Sequence, residues 1–131
     1  MVHMSWIPRG CIELNSKQVY CSPAMAKFRD GNTVFLNAYS GSRNWEFWAT
    51  HLGGEKEAKK YEVRITVSHD GSPNSIAFQG KVYGADCNKV QIDSQIGKEG
   101  VLELSKSLMK TMGKIEKGEL VIPMNFELVR K

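Results

Sequence analysis

The sequence predicts an all-β domain, built as an antiparallel β-sandwich with one short helix. Residues 61–67 alternate between apolar and polar side chains, and residues 120–129 repeat this alternation. A period of two is typical of strands that bury one face and expose the other. In addition, turns rich in Gly, Asn, Asp and Ser separate several further short apolar segments. This spacing indicates a sandwich or a barrel.

The predicted strands follow one another along the chain. They cover residues 11–14, 33–39, 45–52, 61–67, 75–83 and 120–129. In most of them the apolar side chains share one face, as Val34, Leu36 and Ala38 do. Residues 45–52 are apolar on both faces, which predicts a central strand.

One helix is predicted between the last two strands, over Ser105–Met112. The hydroxyl group of Ser105 can cap its first turn, and Gly113 can end it. Leu104 and Leu108 begin an apolar series at four-residue steps, which gives the helix a buried side.

The length of 131 residues fits one domain with one core. Residues 1–4, Met-Val-His-Met, lack the features of a signal peptide and are interpreted as a cloning remnant, so the predicted domain covers residues 5–131.

The three cysteines, Cys11, Cys21 and Cys87, form no close pair, which favours a reducing intracellular compartment, the cytoplasm. No apolar run approaches the roughly 18 residues of a membrane span, so no membrane partner is expected.

The charge pattern argues against a nucleic-acid partner. The net charge of +4 comes from 18 Lys and Arg residues against 14 Asp and Glu residues. Two lysine runs, 56–60 and 106–117, are interleaved with glutamates and contain no aromatic residue that could stack on a base. We therefore expect solvated surfaces there. The first run lies in the Gly54–Lys60 connection, which is predicted to be a surface loop or one helical turn.

Candidate catalytic residues are sparse. A nucleophile and base would require Cys21 or Cys87 to meet His51, and sequence spacing does not predict that contact. A structural role is favoured for His51 and for His69. Neither Cys-x-x-Cys nor His-x-x-x-His spacing occurs, and no carboxylate cluster is present, so no metal or other cofactor is predicted in this chain. The chain is predicted to be non-catalytic.

The aromatic residues Trp45, Phe47 and Trp48 leave two interpretations open. Aromatic side chains within a strand most often pack in the core. They could instead line a cavity, and the protein would then be a small-molecule or lipid carrier. A carrier barrel consists of consecutive hairpin-linked strands, whereas a helix separates two strands here, so an interaction domain is favoured.

Residues 47–65 read FWATHLGGEKEAKKYEVRI: an aromatic-rich strand, a Gly-bearing charged loop with an Ala, then an aromatic residue leading into an alternating strand. Residues 105–112, SKSLMKTM, and 118–122, GELVI, add a short helix and a closing strand, and residues 31–36 lead into an earlier strand. This arrangement resembles the TRAF-like substrate-binding domain of the seven-in-absentia ubiquitin ligases, over residues 11–129.

The resemblance implies a TRAF-like sandwich that binds an extended peptide of a partner protein. Such a domain would be the substrate-recognition module of a RING-type E3 ubiquitin-protein ligase. Family members carry a RING and zinc fingers upstream, so any zinc would belong to those domains. The family domain is also a dimer, which implies a homodimer here.

The resemblance also implies which residues hold the peptide. In the family the groove is flanked by the first strand, the next strand segment and the closing strand, and the matching positions are Ile12, Leu14, Met25, Val121, Pro123 and Asn125. A methionine such as Met25 suits an adaptable apolar pocket. Pro123 removes a backbone donor from the closing strand, which favours an edge position or a bulge. Each of these residues could instead belong to the core.

Overall fold

The computed structural model describes residues 2–6, 19–20, 24–27, 31–40, 43–69, 72–86, 100–116, 119–121 and 124–131. Within these residues it contains twelve strands and two short helices. The strands are β1 (Val2–Trp6), β2 (Val19–Tyr20), β3 (Ala24–Lys27), β4 (Thr33–Ser40), β5 (Asn44–His51), β6 (Tyr61–Ser68), β7 (Ser75–Lys81), β8 (Tyr83–Gly84), β9 (Leu102–Ser105), β10 (Lys114–Glu116), β11 (Glu119–Val121) and β12 (Met124–Arg130). The helices are α1 (Glu55–Ala58) and α2 (Lys106–Met112).

The strands form two main sheets. Sheet I has the order β1-β12-β6-β7, and its pairings are antiparallel. In sheet II, β2 and β3 pair with different parts of β4, β4 pairs with β5, and β5 also pairs with β8 and β9. The pairing of β5 with β8 is parallel. Strands β10 and β11 form a separate hairpin.

One core lies between the inner faces of the two sheets. In sheet I, β6 buries Val63, Ile65 and Val67 and leaves the alternate residues half-buried. The inner faces of both sheets contribute to a single hydrophobic cluster, which includes Val34, Leu36, Ala38, Trp45, Phe47, Ala49, Val63, Ile65, Val67, Met124, Phe126 and Leu128. The predicted all-β sandwich is confirmed, and burial of these side chains is its main stabilising term.

Strand β5 is central to sheet II, as predicted. Every residue of β5 except Asn44 is buried. The inner face carries Trp45 and Phe47, while Trp48 on the outer face packs with Tyr83 and Val101 in a second, smaller cluster. The aromatic residues on both faces of β5 therefore have a packing explanation, and the outer face also buries the polar residues Glu46 and Thr50.

The helices match their predicted positions. The Ser105 hydroxyl oxygen caps α2 by accepting a hydrogen bond from the Leu108 backbone N–H at 3.0 Å, and Gly113 is the C-cap. Helix α2 buries Met109 and Met112, while Leu108 packs at the edge of the core. Helix α1 is a single turn, which is one of the two alternatives given for residues 54–60. In the described part of the chain, neither helix is long and apolar enough to cross a membrane.

Two predicted strands are divided in the structure. Residues 75–83 form β7 in sheet I and β8 in sheet II, so the chain changes sheets at Val82. Residues 120–129 contribute to β11 and to β12, and β12 lies between β1 and β6. Pro123, for which an edge position or a bulge was predicted, lies outside the described residues, and β12 itself is paired on both sides. Periodicity predicts which face of a strand is buried but not which strands lie beside it.

The N-terminal residues include a strand that the sequence did not predict. Residues 2–4, which the sequence analysis left outside the domain, form part of β1 and pair with residues 126–128 of β12. The strand predicted at residues 11–14 lies outside the described residues.

The face assignment of β6 predicts the result of a pair of substitutions. We expect Val63→Asp to lower the free energy of unfolding by at least about 3 kcal/mol, because it places an unpaired carboxylate in the core. The matched change Thr66→Asp, on the half-buried outer face of the same strand, should cost less than about 1 kcal/mol. Denaturant titration measures both values, and equal losses would contradict the assignment.

Candidate functional site

Of the six predicted peptide-binding residues, the structure describes three positions, in three different elements. Met25 is in β3, Val121 is in β11 and Asn125 is in β12. Ile12, Leu14 and Pro123 lie outside the described residues.

Met25 occupies an edge of sheet II. Strand β3 pairs antiparallel with β4, with Met25 opposite Phe35, and within the described residues β4 is its only partner. With respect to the residues that the structure describes, the outer edge of β3 is therefore open to pairing with another segment. The Met25 side chain is 53% exposed.

Met25 has an apolar neighbour on this surface, and the exposed Lys27 lies two residues along the same strand. Because β4 buries Val34 and Leu36 on its inner face, the half-buried Phe35 lies on the outer face beside Met25. One row further along, the Leu52 backbone N–H donates to the Thr33 carbonyl oxygen at 2.9 Å. Leu52 is 59% exposed, and Met25 and Leu52 are the two large hydrophobic side chains that are exposed in the described part of the chain. We call Met25, Phe35 and Leu52 the outer patch.

The other two described positions belong to other strand pairings. Asn125 is exposed, but its strand is paired on both sides, with Ser5 of β1 and Thr66 of β6. Val121 pairs with Lys114 in the β10–β11 hairpin. Met25 lies on the outer face of sheet II and Asn125 on the outer face of sheet I, so these two positions do not line one groove.

Sequence reasoning did not include Phe35 and Leu52 in the candidate site. Alternation already assigns Phe35 to the face opposite Val34 and Leu36. Whether that face is exposed depends on which strands and loops cover it, and no local sequence pattern predicts that coverage. For Leu52, the available signal was its position directly before Gly53-Gly54, where the apolar segment ends.

The aromatic side chains that suggested a carrier cavity pack against other side chains of the protein. The Trp45 and Phe47 rings stack at a centroid distance of 5.9 Å within the core, and they are 2% and 0% exposed. Trp48 packs on the opposite side of sheet II with Tyr83 and Val101. These three rings act as packing elements.

The histidines that could serve catalysis have structural partners. The ring nitrogens of His51 contact the Asn32 side chain and the Gly53 backbone N–H. The His69 Nε2 atom contacts the Thr111 carbonyl oxygen at 2.8 Å. The possible nucleophiles Cys21 and Cys87 lie outside the described residues. Among the residues that are described, no group of three or more His, Cys, Asp or Glu side chains is placed to hold a metal ion.

Comparison with known proteins adds no family assignment, because the chain matches no protein-family model and no curated protein. The resemblance to the seven-in-absentia domains therefore depends on the sequence pattern alone.

The exposure of Met25 predicts that this position tolerates a charge. We expect Met25→Lys to change the free energy of unfolding by less than about 0.5 kcal/mol, as for other surface substitutions. The control Leu36→Lys, on the buried face of the neighbouring strand, should cost several kcal/mol. Thermal or denaturant unfolding distinguishes the two; a large loss for Met25→Lys would mean that Met25 is covered.

Proposed function

We propose that this domain is a non-catalytic protein-interaction module that binds an extended segment of a partner protein along β3. The observation that carries the proposal is the exposed Met25 side chain on a strand that pairs on one side within the described residues. In strand addition, backbone hydrogen bonds supply affinity and alternate side chains supply selectivity.

The neighbouring side chains fit this mode of binding. Alternate residues of an added strand would face the same side as Met25 and meet its thioether, whose flexibility suits varied apolar groups. Phe35 lies opposite Met25 on β4, so it would border the contact on the side away from the added strand. Lys27, which is exposed two residues along β3, would favour an acidic residue at the matching position of the partner.

The wider role follows from the sequence resemblance. We propose that the parent protein is a RING-type E3 ubiquitin ligase of the cytoplasm, with this domain selecting the substrate. A zinc-binding RING would then lie in another part of the parent protein. The packed positions of Trp45 and Phe47 favour this function over a lipid carrier.

The test begins with peptides selected from a random phage-displayed library on the native domain. Selected peptides should lose at least about tenfold in affinity when the amide nitrogens that pair with β3 are methylated, because strand addition depends on those bonds. Methylation at the alternate amides, which point away from the domain, is the matched control and should have little effect.

Met25→Lys should weaken the same peptides by at least about tenfold, because it places an ammonium group in the apolar contact. The control is Ala77→Lys on β7, which is exposed at the edge strand of sheet I. Isothermal titration calorimetry measures both affinities. If Ala77→Lys abolishes binding and Met25→Lys does not, the binding edge is β7 and the proposed one is wrong.

A further inference from the structure

A polar cleft lies at one end of the sandwich, where the inner faces of the two sheets end. It has a volume of about 570 Å³ and is lined by Gly31, Asn32, Thr33, His51, Leu52, Gly53, Glu57, Tyr61 and Arg130. We call it the mouth cleft. Its volume lies in the range of about 300–1,000 Å³ that is usual for small-ligand sites.

The hydrogen bonds in the cleft fix the orientation of each group. The Gly53 backbone N–H donates to His51 Nδ1 at 2.9 Å, so in the neutral ring the proton is on Nε2. His51 Nε2 then donates to Asn32 Oδ1 at 2.6 Å. The Asn32 amide is thereby oriented with Nδ2 toward Tyr61, and it donates to the hydroxyl oxygen at 2.9 Å.

Tyr61 is left with a donor to offer. Its hydroxyl oxygen accepts from Asn32 and also, at 3.4 Å, from Arg130 Nη1. Because the oxygen is the acceptor in both contacts, the hydroxyl proton remains able to donate to a third group. The Tyr61 side chain is held in place by stacking on His51, with a centroid distance of 5.7 Å, and the residue is 8% exposed.

Arg130 provides the positive charge. Its guanidinium lies 5.7 Å from the centroid of the Tyr61 ring. The weak bond to the Tyr61 oxygen uses one of its five N–H groups, and no described carboxylate lies within 4.0 Å of it. A guanidinium with several N–H groups to offer is the side chain best suited to a carboxylate or phosphate.

The one carboxylate that lines the cleft is compensated. Lys60 Nζ donates to Glu57 Oε1 at 3.0 Å, and this bond and charge lower the pKa of Glu57 below its usual range. The charge of Lys56 acts in the same direction. Glu57 is therefore ionised near neutral pH, but its charge is paired with Lys60, and the charge of Arg130 remains to attract an anion.

We propose that the mouth cleft binds an oxyanion group, a carboxylate or a phosphate, between the Arg130 guanidinium and the Tyr61 hydroxyl. Asn32 and His51 are positioning residues, because they direct the Tyr61 hydroxyl without contacting the anion. This site is separate from the β3 edge and does not depend on the function proposed for that edge.

The test is an NMR titration of the native domain with sodium acetate and with sodium phosphate, against sodium chloride at matched ionic strength. We expect saturable shifts at Arg130, Tyr61 and Gly53 with at least one of the two oxyanions. Saturation by acetate alone identifies a carboxylate site and saturation by phosphate alone a phosphate site, while both indicate a general oxyanion site. Shifts that do not saturate, or that chloride reproduces, would overturn the proposal.

Variants locate the site. Arg130→Gln should reduce the affinity at least about tenfold, and Arg130→Lys should restore it only in part, because an ammonium lacks the planar fork. The matched control is Arg64→Gln on the outer face of sheet I, where Arg64 is engaged by Glu127 and Gln79. Arg64→Gln should leave the affinity within about twofold of the native value. An equal loss for both arginine variants would mean that the anion responds to general electrostatics, and it would refute the site.

Tyr61→Phe tests the second donor. It keeps the ring that stacks on His51 and removes the hydroxyl, so the affinity should fall about fivefold or more while the circular dichroism spectrum is retained. An unchanged affinity in the folded variant would exclude Tyr61 as a ligand.

Discussion

The structure depends on the contact between the inner faces of β4 and β5 on one side and of β6 and β12 on the other. Alternating burial in β4, β6 and β12, together with the fully buried β5, gives each sheet an apolar inner face, and the two faces form one cluster. The same alternation continues past the core with polar residues. Asn32, His51, Tyr61 and Arg130 are each two positions beyond a core residue, so they share its face and meet at the mouth of the sandwich.

The connection between β5 and β6 holds the two sheets together at this end. Gly53 approaches the Glu57 side chain and His51 so closely that a Cβ atom would lie 2.8 Å from Glu57 Cγ and 3.1 Å from His51 Nδ1. Ala58 is fully buried, and Glu55 Oε1 accepts the Gly84 backbone N–H at 2.8 Å. A charged, Gly-containing loop is thus a fixed part of the scaffold, and the aromatic residue that follows it, Tyr61, serves both the core and the cleft.

The sequence was sufficient for properties that are local. It predicted the faces of β4 and β6, the central character of β5 and the capped helix α2, because each depends on neighbours a few positions apart. Strand order depends on contacts distant in sequence, and here prediction failed: residues 120–129 were treated as one strand, but they contribute to two strands with different partners. The mouth cleft was missed for the same reason. His51 was interpreted as structural, but no local pattern predicts its contact with Asn32, which is 19 positions away. The contact between Asn32 and Tyr61 joins residues that are 29 positions apart.

The outer patch and the mouth cleft are neighbours, but the geometry of sheet II separates the groups they would bind. Leu52 belongs to both regions, and Thr33, opposite it, also lines the cleft. Strands lie about 4.8 Å apart, so a strand added beyond β3 would be about 14 Å from the line of β5. No side chain of that added strand spans this distance and also turns to the inner face, where Tyr61 and Arg130 lie. A partner that used both regions would therefore need a second segment for the cleft, and a small anion could occupy it while β3 is paired.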